Sequence, residues 1–303
     1  MAEEMNILMG KFLSYIEYEK NRSPLTVENY GNDLKAFIEY TNTVETDLSW
    51  EDVDQDVVRG WMEYMLDKGN SAASVSRRLS ALRTFYRFAL ANGLVSHDPV
   101  RNISSPKKKK SLPVYLREKD MDRLLDDTEW GSDFEEVRNR TIIELFYETG
   151  IRLSELVGMD IDSVDFINDQ IKVLGKRNKE RVIPFGFSLA NQLKNYVSER
   201  KKVAAESQTA LIITVNGERM KPQQVRNVVR RNLLKVSSLK KRSPHVLRHT
   251  FATTMLNNDS GLESIQKLLG HKSVSTTEIY THTTYEQLKK VYGKSHPRGE
   301  DSE

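Results

Sequence analysis

"DPVRNISSPKKKKSLP", residues 98–113, decides how this chain is divided. Proline and serine flank a run of four lysines, and no apolar period runs through the stretch. It therefore reads as a linker, 98–112, between an N-terminal region (1–97) and a C-terminal one (113–293) that is followed by a short tail (294–303). The regions on its two sides have different patterns, so the fold follows from reading each separately.

Upstream, the spacing predicts four helices. A first lies near residues 4–20. A second, "SPLTVENYGNDLKAFIEYTN" (23–42), starts with Ser23 as cap and Pro24 at the first helical position, and Leu34, Phe37, Ile38 and Tyr40 fall at helical spacing. The third, "DQDVVRGWMEYMLDKG" (54–69), takes Asp54 as cap, buries Val58, Trp61, Met62, Met65 and Leu66, and stops at Gly69. The fourth, "SAASVSRRLSALRTFYRFALANG" (71–93), buries Val75, Leu79, Leu82, Phe85 and Leu90 on one stripe while Arg77, Arg78 and Arg87 project away.

Downstream, helices extend to about residue 158, one of them ending at Gly150. "QIKVLGKRNKERVIPF" (170–185) then alternates apolar and polar residues on both sides of a polar turn, a β-hairpin signature with Lys176 at the tip. "ALIITV" (210–215) reads as a further short strand. Helices follow at 221–236, 244–258, 261–269, 274–281 and 284–292. The expected fold is mainly α: a four-helix N-terminal domain and an α+β C-terminal domain with a small antiparallel sheet.

The chain has 303 residues, 38% of them hydrophobic and 29% charged, which describes a globular protein with two cores. No apolar run approaches the ~18 residues of a membrane span, and the acidic start "MAEEMNILMGKF" lacks the positive opening of a secretory signal. A cytoplasmic protein is expected. The absence of cysteine removes disulfides, thiolate nucleophiles and Cys-ligated metals, leaving Ser, Tyr, Lys, His and carboxylates for chemistry.

Net charge is only +3, but its distribution is uneven. Residues 219–250 hold ten basic side chains and no acid, among them Arg226, Arg230, Lys240, Lys241 and Arg242. Residues 69–97 hold Arg77, Arg78, Arg83 and Arg87, again with no acid. Two such stripes, with Lys107 and Lys108 between them, suggest two surfaces that meet one phosphate backbone, and the alternative is a pair of solubilising faces. Fully extended, the segment from Arg101 to Leu112 spans on the order of 40 Å, several times the ~12 Å width of a DNA major groove. That reach lets two domains grip opposite sides of a duplex.

Three further segments carry candidate chemistry. "TGIRLSELVGM" (149–159) places Arg152 just past a helix end, with Glu155 able to steady its guanidinium; an Arg–Glu pair is otherwise an ordinary surface contact. "SPHVLRHTFAT" (243–253) starts a helix with Ser243 as cap and Pro244 at its first position, so His245 and Arg248 share a face near the positive end of the helix. His249 follows His245 by four residues, but no Glu lies between them in the zinc-protease pattern, and no third ligand is placed nearby. "QKLLGHKSVSTTEIYTH" (266–282) adds His271 after a helix-ending glycine, and then Tyr280, which on its own reads equally well as a core aromatic. Cutting and rejoining a phosphodiester without metal or thiol needs fixed cationic donors at the phosphate, a nucleophile, and an acid for the departing oxygen. These residue types can supply all three.

In order along the chain, "TGIRLSEL", "GKRNKER", "HVLRH", "LLGH" and "YTH" resemble the boxes of the tyrosine site-specific recombinases, the lambda-integrase family, and the likeness covers almost the entire chain. It implies a SAM-like core-binding N-terminal domain and a recombinase catalytic domain. It also implies roles: Arg152 and Arg248 hold the scissile phosphate, Lys176 (rather than Lys179) protonates the 5′ oxygen, and His245 and His271 assist. Tyr280 forms a 3′-phosphotyrosyl link, and Glu155 takes the supporting acidic position. Neither metal nor ATP is implied, because the phosphotyrosyl link keeps the energy of the broken bond.

Within the family the start, the length and the tail are most similar to the bacterial Xer branch, which includes XerC and XerD. That implies chromosome-dimer resolution by a homo- or heterotetramer on synapsed double-stranded DNA, regulated by a septal DNA translocase. A mobile-element integrase would carry the same boxes. Other readings are a catalytically silent DNA-binding protein and a type IB topoisomerase, disfavoured by the full polar set and by the size and tail. Leu288, Val291 and Tyr292 form an apolar face on the last helix. In the family that segment docks into a neighbouring subunit; the alternative is docking on its own domain.

Overall fold

The computed structural model describes residues 2–45, 48–107, 114–175, 180–237, 239, 241–258, 262–269 and 291–299. The chain separates into two units, Met1–Ser111 and Leu112–Glu303, each with its own core.

The first unit holds α1 (Ala2–Ser14), continued by a π-turn at Tyr15–Glu19, then α2 (Pro24–Val44), α3 (Gln55–Asp67) and α4 (Ala72–Ala91). Local sequence sets the boundaries. The Asp54 carboxylate accepts the N–H groups of Asp56 and Val57, both at 2.9 Å, and Ser71 Oγ accepts that of Ser74 at 3.2 Å. Gly69 and Gly93 close α3 and α4 with φ of 80° and 65°, values a side chain would resist. Phe12, Phe37, Trp61 and Phe85 fill the core, and Trp50 joins them from the α2–α3 connection. The Trp50 indole donates to Met5 O at 3.0 Å, and Tyr86 Oη donates to Trp50 O at 3.0 Å, so both polar tips are satisfied inside. Leu66 and Leu90, expected on buried stripes, are exposed. Each lies in the final turn of its helix, past the edge of the core.

The stretch read as a linker from residue 98 is corrected in its first half. Val100 and Ile103 are buried in the first core, and Arg83 donates to Ile103 O and, at 3.4 Å, to Ser105 Oγ. Only two apolar residues do this. That is too few to show a period, yet enough to bind a short segment once a core exists to receive them.

The second unit contains α5 (Glu118–Leu125), α6 (Phe134–Thr149), α7 (Leu153–Gly158), a 3₁₀ turn (Ile161–Ser163), β1 (Val164–Asp165), β2 (Gln170–Leu174), β3 (Glu180–Pro184), α8 (Phe187–Lys201), α9 (Pro222–Val236), α10 (Pro244–Asn257) and α11 (Leu262–Leu269). Residues 291–295 are also helical. The strands form one antiparallel sheet in the order β1-β2-β3, with Ile171 opposite Ile183 and Val173 opposite Arg181. Helix α6 is the centre of the unit: its residues from Ile142 to Thr149 are all buried, with α8 and α10 packed on it. The fold is thus mainly helical with a small sheet.

Two elements depart from the sequence reading. Residues 210–215 form no strand, only single bridges from Ala210 to Asp160 and from Ile213 to Arg219. Their peptide groups are satisfied in other ways. Arg200 donates to Ala210 O, Tyr196 Oη to Leu211 O at 2.9 Å, and Leu211 N to Met159 O at 3.0 Å. Helix α8 was not anticipated. Leu189, Leu193 and Tyr196 form a narrow buried stripe along an otherwise polar segment, a weak periodic signal.

Candidate active site

The predicted phosphate-binding residues converge on the corner where α6 ends. Gly150 terminates α6 in the left-handed region with φ of 58°, and its N–H bonds Phe146 O at 3.1 Å. A Cβ there would stand 2.5 Å from Phe251 Cδ1 and 2.9 Å from Leu269 Cδ2, so glycine is required by both angle and space. The reversal delivers Arg152 to the N-cap of α7, with Glu155 in its first turn. The Glu155 carboxylate accepts the Arg152 backbone N–H and its guanidinium Nη1, each at 2.7 Å.

Glu155 is also gripped by a residue the sequence reading passed over. From β3, Arg181 donates Nη1 and Nη2 to the two carboxylate oxygens at 2.7 and 2.8 Å, and its Nε donates to Leu268 O at 2.9 Å. Burial by itself would raise the Glu155 pKa. The Arg181 hydrogen bonds and charge, with those of Arg152, outweigh it and hold the carboxyl at about 2. A signal for Arg181 existed in the hairpin: period two puts it on the face of Ile183, and Ile183 and its cross-strand partner Ile171 are fully buried. A charge on an inward face requires a partner.

Arg248, on the first turns of α10, is buried and donates Nη1 to Gly150 O and Nη2 to Leu269 O, the latter at 2.7 Å. Burial, helped by the nearby Arg152 charge, lowers its pKa to about 10, with Glu155 opposing. The guanidinium stays charged at neutral pH. His245, one turn earlier, is exposed, so the two differ in depth although they share a helix face. Ser243 occupies the N-cap without a side-chain cap bond. The His249 ring meets Tyr115 edge-on at 6.1 Å. Among the described residues no group of three or more His, Asp or Glu is placed to hold a metal ion.

Lys176, Lys179, His271, Tyr280 and the helix expected at 274–281 lie outside the described residues. Their flanks are described. β2 and β3 pair up to Leu174 and Glu180, the described residues that flank Lys176 in the chain. The end of α11, two residues before His271, has its last two carbonyls held by Arg181 and Arg248.

The basic stripes resolve into structural and surface members. Arg77 and Arg78 lie off the apolar stripe, as expected, and both face the buried Asp33 of α2: Arg77 forms a two-pronged ion pair, Nη2 to Oδ1 at 2.7 Å, and Arg78 Nε lies 3.7 Å from Oδ1. The ion pair itself is not legible locally, because the acid comes from another helix and leaves no trace in the local run. Arg83 holds the 103–105 segment, while Arg87 and Lys107 are exposed. In the second stripe Arg226, Arg230 and Lys241 are exposed, and Arg242 is half-buried with Nε on Ser237 O at 3.2 Å. Arg219 is bound to Asp160 and to the carbonyls of Val157 and Met159. Lys108 and Lys240 lie outside the described residues.

Of the last helix's apolar face, Leu288 is outside the described residues and Tyr292 packs on its own unit. Tyr292 is 1% exposed, its Oη reaches Glu148 Oε2 at 3.4 Å, and its ring stacks on His296 at 5.2 Å. Residues 291–299 pack against their own unit.

The phage integrase family matches residues 114–287, and the phage integrase N-terminal SAM-like domain matches residues 9–93. Tyrosine recombinase XerC of Pelotomaculum thermopropionicum is 36% identical over 304 residues, covering 97% of this chain and 99% of that protein. Tyrosine recombinase XerD of Oceanobacillus iheyensis is 32% identical over 290 residues, covering 95% and 97%. Among solved structures, XerH site-specific recombinase bound to palindromic difH substrate in a post-cleavage complex aligns with a TM-score of 0.71 at 22% identity, over 94% of this chain and 84% of that one. With two family domains matched in order and relatives aligned nearly end to end, the chain belongs to the phage integrase family and is a tyrosine recombinase.

Proposed function

We propose that this site-specific recombinase acts on double-stranded DNA, with Arg152 and Arg248 binding the scissile phosphate and Tyr280 attacking it. The Tyr280 hydroxyl oxygen forms a bond to phosphorus, the bond from phosphorus to the 5′ oxygen breaks, and the 3′ end is left as a phosphotyrosyl ester. The tyrosine gives up its proton to neighbouring groups, with His245 and His271 assisting, and Lys176 protonates the departing 5′ oxygen. Attack by a 5′ hydroxyl from the partner strand reverses the step, so neither ATP nor a metal is consumed. Glu155 keeps Arg152 in place. One observation carries this reading: the buried Arg248 donates to the carbonyl of Gly150, two residues before Arg152, whose guanidinium Glu155 fixes, so both cations belong to one corner. Two guanidinium groups held together against their own repulsion are suited to a dianion-like transition state.

The biological role we propose is Xer-type chromosome-dimer resolution in the cytoplasm, by a tetramer on two synapsed sites under a septal translocase. Its support is that both XerC and XerD proteins align over nearly the whole chain. Arg87, Lys107, Lys108, Arg226, Arg230, Lys240, Lys241 and Arg242 are the proposed DNA-contacting set, and Arg77, Arg78 and Arg83, each bonded or paired within its own unit, flank it. The test is a nicked duplex carrying the sequence the protein selects from a random DNA pool. After denaturation, a covalent adduct is expected with the wild type and none with Tyr280→Phe. An adduct that persists in the variant removes Tyr280 as the nucleophile.

A further inference from the structure

Arg181 lies in an unusual place for a charge. It stands on the inward face of β3, its side chain 14% exposed, opposite the buried Val173 and two residues from the buried Ile183. Burying a guanidinium costs more than burying an aliphatic side chain of similar volume, so packing alone favours the aliphatic. What an aliphatic residue cannot do is bind three acceptors on two other elements. Arg181 spans both oxygens of Glu155 on α7 and the Leu268 carbonyl at the end of α11.

We propose that Arg181 is a positioning residue for DNA cleavage, tying the β2–β3 hairpin, the Arg152 corner and the end of α11 into one rigid frame. The inference rests on the reading of Arg152 as a phosphate ligand. With one oxygen on Arg181 Nη1 and the other on Nη2, Glu155 cannot rotate about its terminal torsion without breaking a charge-assisted bond. The same two oxygens hold the Arg152 guanidinium and backbone. Arg152 therefore inherits its direction from Arg181. At α11 the neighbouring carbonyls of Leu268 and Leu269 are shared between Arg181 and Arg248. Two cations thereby hold the buried carbonyl end of a short helix, and they do so immediately before the segment that carries His271 and Tyr280. Lys176 lies in the sequence between the two strands of the hairpin that supplies Arg181. One guanidinium thus links the chain positions of phosphate binding, general acid and nucleophile.

The experiment measures single-turnover adduct formation at saturating protein, on the nicked duplex used for the wild type, together with DNA binding and thermal unfolding. Arg181→Gln is expected to bind the duplex as wild type does and to form adduct about 10- to 100-fold more slowly, the size of a small misplacement of a reacting group. The pH profile should change as well. Without Arg181, Glu155 faces only Arg152 and the more distant Arg248, its pKa rises, and the acid limb of the cleavage rate moves toward neutral pH. A purely structural role would lower the unfolding temperature without moving that limb. Should Arg181→Gln fail to fold, Arg181→Lys keeps the charge but cannot reach both Glu155 oxygens and Leu268 O at once. It too should cleave more slowly with normal binding. A folded variant with wild-type rate and pH profile overturns the inference. Arg152→Ala separates the two readings: if it is blocked while Arg181→Gln is normal, only the positioning role fails; if Arg152→Ala cleaves normally, the phosphate reading fails.

Discussion

Each unit contains one buried carboxylate gripped by two arginines, and the two sites are built differently. In the first, Asp33 joins two helices, and one of its partners, Arg77, has a side chain 51% exposed. In the second, Glu155 has partners 34% and 14% exposed, and its cluster includes Arg248 and two helix-terminal carbonyls. The first site resembles a hydrated clamp on a surface, where loss of the acid lets the cations turn to water. The second is a closed network in which every charge depends on another. An arginine near a buried acid is thus a weak indicator of chemistry by itself; what distinguishes the Glu155 site is convergence of several elements on it.

The comparison breaks most sharply on Arg248. Arg248→Lys keeps a charge but not two carbonyl bonds in fixed directions, and adduct formation should slow by about 10²- to 10³-fold in single-turnover assays. Arg77→Lys should leave that rate unchanged. In urea titrations, Glu155→Ala removes both carboxylate bonds of the largely buried Arg181 and should cost about 3 kcal/mol, whereas Asp33→Ala should cost about 1 kcal/mol because half-exposed Arg77 can hydrate. Equal losses would dissolve the distinction drawn here.

The pH dependence of stability sharpens it. Glu155 has a folded pKa of about 2 against an ordinary 4.5. Its contribution is fully present above 4.5 and lost as pH falls toward 2, about 3 kcal/mol in all. His296 works in a higher window. Burial lowers its pKa from 6.5 to about 3, so the unfolded chain binds the extra proton, and stability falls as pH drops below 6.5. The slope difference between wild type and His296→Gln should approach about 1.4 kcal/mol per pH unit there, read by urea midpoints at pH 6.5 and 5. The smallest effect expected is on binding. Arg87→Ala should reduce the salt slope of DNA affinity by about one, while Arg77→Ala lowers the stability of the first unit. If the two variants change binding alike, Arg77 reaches phosphate despite its bond to Asp33.

The sequence by itself determined the four N-terminal helices, the hairpin, the corner at Gly150 and the chain positions of Arg152 and Arg248, the arginines proposed to bind phosphate. Caps, left-handed glycines and two-residue periodicity are local, so they can be read within one turn or one strand. Tertiary structure alone decided three things. It folded Val100 and Ile103 back onto the first core, where two apolar residues find a surface but form no pattern. It paired Arg77 and Arg78 with an acid more than forty residues away in a different helix. It also brought Arg181 to Glu155 and Leu268, because the partners of a buried charge are chosen by proximity in space, and nothing in the neighbouring residues encodes that proximity.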